Sequence, residues 1–334
     1  MEHCGDPPID CAMSQSAVHD PCRFRRAAPL ARERTMTVIR VGISGWRYGP
    51  WRGVFYPQDL PQRQELWYAS RKFDTIEING SFYSLQRPEY FAAWYDQTPA
   101  HFVFSVKGPR FITHIKRLRD VTTPLANFFA SGVFNLREKL GPMLWQFPPS
   151  FAYDVARFED FLELLPRDTS SALRLARRRD FRLKNRARLA IDASRPLRHA
   201  IEIRNDSFRC PEFIAQLRTY GVALVVAETA GKWPMLEDVT ADFMYLRLHG
   251  DKKLYASGYS SRALDRWARR IVQWHKGREP ADAGKVVQAA NLAVSRDVFC
   301  YFDNTDVKLR APQDAQSLAR KIRTRRTAAR EAQA

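Results

Sequence analysis

HAIEIRND, residues 199–206, alternates Ile201 and Ile203 with Glu202 and Arg204. A period of two places the apolar pair on one face of a β-strand and the two ions on the other. If both faces are covered, each ion needs a partner, because burying an unpaired charge is costly. Seven further β-like runs flank this one: RVGISGW (40–46), TIEING (75–80), FVFSVKG (102–108) and MLWQFPP (143–149) before it, ALVVAET (223–229), FMYLRLHG (243–250) and VFCYFDN (298–304) after it. Helix-like segments fill most of the gaps, at 62–72, 88–96, 122–139, 154–165, 211–219, 261–275 and 312–322. Only the connection after the sixth strand, around GKWPMLEDVT, is too short for a full helix. Eight strands alternating with helices predict an α/β chain closed into a (β/α)8 TIM-type barrel rather than an open doubly wound sheet. No GxGxxG follows the first strand, so a dinucleotide-binding reading has no support.

With 45% hydrophobic and 12% aromatic residues, the 334-residue chain has enough apolar surface for a large core. No apolar run approaches the roughly 18 residues that a membrane span needs. Residues 1–36 contain Arg25 and Arg26 with no apolar stretch behind them, so neither a secretory nor a twin-arginine signal is read there. The expectation is a cytoplasmic protein with no membrane partner. Cys4, Cys11, Cys22, Cys210 and Cys300 form no CxxC pair, which argues against a zinc ribbon or a disulfide framework. Residues 1–36 lack periodicity and read as a disordered leader, with Met36 a candidate start. Residues 37–322 read as one barrel domain.

The net charge of +18 is unevenly spread. Residues 167–198 carry +8 and residues 320–334 carry +5. The first run reads as a basic helical insertion between strands four and five, packed on the rim, and residues 323–334 as a basic C-terminal tail. Such local runs are more often solvated surface than a specific site, although a nucleic-acid partner stays open.

In a barrel the apolar member of each alternation faces the helices and the polar member faces the interior. That rule sends inward Glu77 and Asn79 from the second strand, Ser105 and Lys107 from the third, Gln146 from the fourth, and Glu202 and Arg204 from the fifth. The seventh adds Tyr245, Arg247 and His249, and the eighth Tyr301 and Asp303. All lie toward the C-terminal ends of their strands, where active sites of this fold are built. Glu202 is expected to pair with Arg247 or Lys107.

These residues also sit in motifs that resemble a known family. GISGWRYGPWRGVFYP (42–57), FDTIEINGSFYSLQ (73–86), FVFSVKGPRFITH (102–114), LGPMLWQFPPSF (140–151), AIEIRNDSF (200–208), YLRLHGD (245–251) and YFDN (301–304) resemble, in order, the YecE-like family known as domain of unknown function 72. The resemblance spans about residues 38–320 and implies a TIM-type barrel. It implies no activity.

Chemistry must therefore be read from the residues. Glu77 and Glu202 could form a glycosidase pair, but the large retaining group on this fold resembles a pattern with carboxylates after strands four and seven. This chain has Gln146 and His249 there. A trinuclear-zinc phosphoesterase needs more imidazole and carboxylate ligands than His114 and His249 provide near the mouth. A single divalent ion would meet Lys107, Arg204 and Arg247, so no metal is assigned and no cofactor is named. Three cations favour an anion, with the HGDKK and DNTDVK loops supplying donors from Gly250 and Asn304. Catalytic candidates are Glu77, Lys107, Glu202 and His249, with Lys107 either a charge partner or a Schiff-base lysine. Ligand-binding candidates are Asn79, Tyr83, His114, Gln146, Arg204, Arg247, Gly250, Asp303 and Asn304. Trp46, Tyr48, Trp51, Phe82 and Tyr83 could stack on a sugar or base, in which case they should be half open. The leading expectation is an enzyme-like barrel acting on a small anionic or phosphorylated ligand, a sugar-like one included, with nucleic-acid binding or processing and non-catalytic ligand binding as alternatives. The sequence leaves the oligomeric state open.

Overall fold

The structure, a computed structural model, describes residues 37–255, 257–288, 294–303 and 309–331. The expected leader, with Cys4, Cys11 and Cys22, lies outside these residues, as does Asn304. Eight strands pair in parallel and in chain order: β1 (Ile39–Ser44), β2 (Thr75–Ile78), β3 (Val103–Lys107), β4 (Leu140–Gln146), β5 (His199–Glu202), β6 (Ala223–Glu228), β7 (Phe243–Leu248) and β8 (Asp297–Phe302). β8 returns to β1, Ile39 opposite Val298 and Ile43 opposite Phe302, and the barrel closes.

Alternation decides the layers. On β8, Val298, Cys300 and Phe302 join the large apolar cluster between barrel and helices, while Phe299 and Tyr301 point inward. Leu144, Ala200, Ala223, Val225, Phe243 and Tyr245 complete the interior, so the barrel is filled rather than hollow.

The helices are α1 (Glu65–Ala69), α2 (Gly80–Tyr83), α3 (Pro88–Gln97), α4 (Thr122–Ala130), α5 (Val155–Leu164), α6 (Thr169–Ala176), α7 (Pro211–Tyr220), α8 (Ser261–His275) and α9 (Ala311–Glu331). Caps explain several starts. Asp154 accepts from the Arg157 amide at 3.0 Å, Asp168 from Ser171 at 2.7 Å and Ser260 from Ala263 at 3.1 Å. Among the described residues no helix is long and apolar enough to cross a membrane.

Three segments differ from the expectations. β4 begins at Leu140 and includes Pro142, because the β3–β4 register slips between Phe104 and Val106. The proline's missing N–H falls at that irregularity, where it weakens the ladder least. The basic segment 167–198 is α-helical only over α6, with one further 3-10 turn at Phe181–Leu183. Its triple arginine, Arg177–Arg179, follows the helix and is exposed, and an irregular return is held by Asp180, whose amide donates to Asn127 Oδ1 at 3.1 Å. Finally, residues 323–331 are no separate tail, because α9 runs unbroken to Glu331.

Candidate functional site

Arg247 occupies the centre of the barrel's C-terminal end and is fully buried. Its Nε donates to Glu77 Oε2 at 3.1 Å, and Nη2 to Glu77 Oε1 at 2.9 Å and Asp303 Oδ2 at 2.8 Å. Nη1 donates to Glu202 Oε2 at 2.6 Å and faces His249 Nε2 at 3.4 Å. All five N–H groups are thus engaged by the protein. Tyr245 and Ser44 buttress the cluster, donating to Glu77 at 2.6 and 2.5 Å, and Asn79 donates to Ser44 Oγ at 2.7 Å. Burial alone would raise the carboxyls of Glu202 and Asp303, but Arg247 and the neighbouring cations outweigh it and hold both well below the usual range.

The rest of the mouth is assembled on this base. Arg204 donates from Nε to Glu202 Oε1 at 2.9 Å, lies 3.9 Å over the Trp233 ring, and reaches the Tyr255 hydroxyl at 3.1 Å. His249 Nδ1 stands 3.2 Å from Asp303 Oδ2 without the alignment of a hydrogen bond. Burial, then Arg247, lowers the imidazole's affinity for a proton. The pairing expected of Glu202 is therefore made with Arg247 and Arg204, and not with Lys107.

Lys107 differs from the other ions. It ends β3 with only 7% of its surface exposed, and its Nζ sits 4.1 Å over the Phe82 ring. Its carbonyl accepts from Ser81 Oγ at 2.6 Å, but among the described residues Nζ makes neither a hydrogen bond nor an ion pair. Burial and Arg247 bring its pKa down to about 8, with Glu77, Glu202 and Asp303 pulling the other way. Local chain geometry fixes the position. A Cβ on the following residue, Gly108, would stand 2.4 Å from the Trp145 ring, so only glycine lets the chain turn there. That turn carries His114, whose ring meets the edge of Phe82 at 5.1 Å and whose Nδ1 pairs with Thr113 Oγ1 at 2.8 Å. Burial, with Lys107 and Arg204 nearby, lowers the His114 pKa to about 4. Gln146, at the end of β4, is buried.

Glu77, Asn79, Lys107, Glu202, Arg204, Arg247, His249 and Asp303 thus come together through contacts or mutual fields. Several expected contributions are absent. The Gly250 N–H is consumed by the Tyr259 hydroxyl at 3.0 Å, and the amides of Lys252 and Lys253 both donate to Ser257 Oγ at 3.0 Å. The loop after β7 therefore offers no row of free donors to a phosphate. Arg247 likewise has no donor to spare for a ligand. Three of the five expected stacking aromatics fail the exposure test, since Trp46, Trp51 and Phe82 are buried anchors, whereas Tyr48 is half-buried. Tyr48 packs on Trp51 at 4.6 Å, and Tyr83 alone of the set stands largely exposed. Among the described residues no group of three His, Cys, Asp or Glu is placed to hold a metal. Trp233 and Tyr255 belong to the site without having been expected. The only sequence signal for Trp233 was that the connection from β6 to β7 lacks a helix, and Tyr255, in the loop after β7, had none.

The model of a protein family described as "Protein of unknown function DUF72" matches residues 40–334. UPF0759 protein YunF of Bacillus subtilis is 29% identical over 119 residues, 34% of this chain and 41% of that protein. UPF0759 protein YecE of Escherichia coli K12 is 28% identical over 130 residues, 39% of this chain and 45% of that protein. The match spans under half the length of either curated relative. A DUF72 family protein from Thermotoga maritima superposes with a TM-score of 0.65 at 23% identity, over 86% of this chain and 99% of that one. One from Enterococcus faecalis gives 0.60 at 17%, over 86% and 96%. At these identities the structures speak for the fold.

Proposed function

Since the chain belongs to the DUF72 family, whose description carries no activity, we propose a function from the mouth itself: an enzyme-like barrel that binds and acts on a small, singly charged anionic ligand, with Lys107 as the counter-charge. The observation that carries this reading is the pairing pattern. Glu77, Glu202 and Asp303 surround Arg247, and Glu202 also holds Arg204, which leaves Lys107 as the one cation of the group without a contacting anion among the described residues. Burying an ammonium without a partner is unfavourable for folding, so the position is better explained by a ligand than by architecture. The six charges of the mouth balance, but all three carboxylates are in contact with the two arginines, so the local opening for a single negative charge lies beside Lys107. A phosphate dianion fits less well, with one uncommitted ammonium and no free donors from Gly250.

The test is thermal unfolding with benzoate, phenylacetate, lactate and inorganic phosphate. A monocarboxylate should raise the midpoint of the wild type, by the equivalent of about 2.7 kcal/mol at a hundredfold excess over Kd. Lys107→Met should lose that response while remaining folded. Equal responses from wild type and variant would overturn the reading.

A further inference from the structure

We infer that Lys107 is a covalent site, its amine adding to the carbonyl carbon of an aldehyde or ketone to form an imine; this rests on the mouth being a ligand site. The contrast with the other buried lysine among the described residues carries the argument. Lys139 Nζ donates to Tyr95 O at 2.6 Å, Thr98 O at 2.8 Å and Thr98 Oγ1 at 3.1 Å, all three protons placed, as a structural lysine requires. Both lysines lie over a ring, Lys139 over Tyr95 at 4.2 Å and Lys107 over Phe82 at 4.1 Å, but among the described residues Lys107 Nζ has none of its protons placed. That is the environment in which an amine is desolvated and kept beside another cation, the two conditions that activate a lysine nucleophile. With its pKa at about 8, roughly one Lys107 in ten is neutral at pH 7, against about one in three thousand for an ordinary lysine.

The step balances without a co-reactant. The neutral nitrogen forms a C–N bond as the carbonyl π pair moves to oxygen. A proton passes from nitrogen to that oxygen, giving a carbinolamine. Protonation of the hydroxyl and cleavage of the C–O bond then release water and leave an iminium. The proton that the resting ammonium gives up to become neutral is the one returned to the hydroxyl, so one positive charge stands on Lys107 before and after and the three-against-three balance of the mouth is kept. Phe82, the ring beneath Lys107, also lines a groove of 160 Å³ with Tyr83, Leu85, Phe111, Ile112 and Pro124. An apolar or aromatic substituent on the carbonyl compound fits that groove.

The full chain is incubated with phenylpyruvate, and separately with benzaldehyde, in the presence of sodium cyanoborohydride. The reduced adduct is then mapped by peptide mass. Lys107 should be modified at least tenfold faster than exposed Lys72, with a rate half-maximal near pH 8, and Lys107→Arg should lose that one adduct. Adducts spread evenly over exposed lysines, or an unmodified Lys107, would overturn the inference. Phenylacetate, which has no reactive carbonyl, separates the two proposals. If it raises the unfolding midpoint of the wild type but not of Lys107→Met while no adduct forms on Lys107, the imine falls and the ligand site stands. If neither effect occurs, both fall.

Discussion

Arg247 and Lys107 are both buried cations at the barrel mouth, yet they stand in opposite relation to folding. Removing Arg247 leaves Glu77, Glu202 and Asp303 facing one another without their shared partner. Arg247→Met should therefore cost about 3–5 kcal/mol at pH 7, measured by urea unfolding. The depressed carboxyls of Glu202 and Asp303 contribute stability above the ordinary carboxylate pKa and lose it as pH falls below about 4. The variant lacks that contribution, so its deficit should narrow when the same comparison is made at pH 4. Lys107 behaves in reverse. Its ordinary pKa is 10.5 and its folded value is about 8. Between the two the unfolded chain binds more protons, so stability rises with pH across that window and the full penalty is carried below it. Lys107→Met should thus raise stability at pH 7 by about 3 kcal/mol, an advantage that fades by pH 10.5. A variant less stable than wild type at pH 7 would show that Lys107 is satisfied after all.

The strands were legible because their side chains obey a period of two over four or more residues, and the inward polar set follows from that period alone. HAIEIRND illustrates both the reach and the limit of this reading. Alternation places Glu202 inward, but its main partner, Arg247, is 45 positions away on β7, and no local pattern encodes which cation it meets. The irregular segments were legible least. Trp233 under Arg204, and Tyr259 taking the Gly250 amide, depend on loop paths that periodicity does not describe. The basic segment was read as helical, which holds over α6, but its irregular return was not legible, since a run of arginines resembles a helix surface while the ordering is done elsewhere. Asp180 accepts from Asn127 Nδ2 at 3.0 Å and from the Arg182 amide at 3.0 Å. Asp180→Ala should lower stability by about 1 kcal/mol. Replacing Arg177, Arg178 and Arg179 together with serine should leave the unfolding midpoint within the equivalent of about 0.5 kcal/mol. Equal losses in the two variants would contradict this division.

Across the whole molecule, closure of the barrel depends on its last helix. Ala311, Ala315, Leu318 and Ile322 are buried in the apolar cluster around β1 and β8, whereas residues from Arg323 onward that can be described are exposed or half-buried. Ending the chain after Arg323 should change stability by less than about 1 kcal/mol, the scale of exposed ion pairs such as Arg325 with Asp265. Ending it after Arg310 should abolish cooperative unfolding by calorimetry. The balance of charge at the mouth has a kinetic consequence. The six mouth ions cancel, so the net charge of +18 comes from the rest of the chain. For the anionic ligand proposed above, approach would be helped by a field that dissolved salt screens within about 8–10 Å. Once seated, it is held by a single sheltered contact that salt barely reaches. Added salt should slow arrival and leave the residence time unchanged.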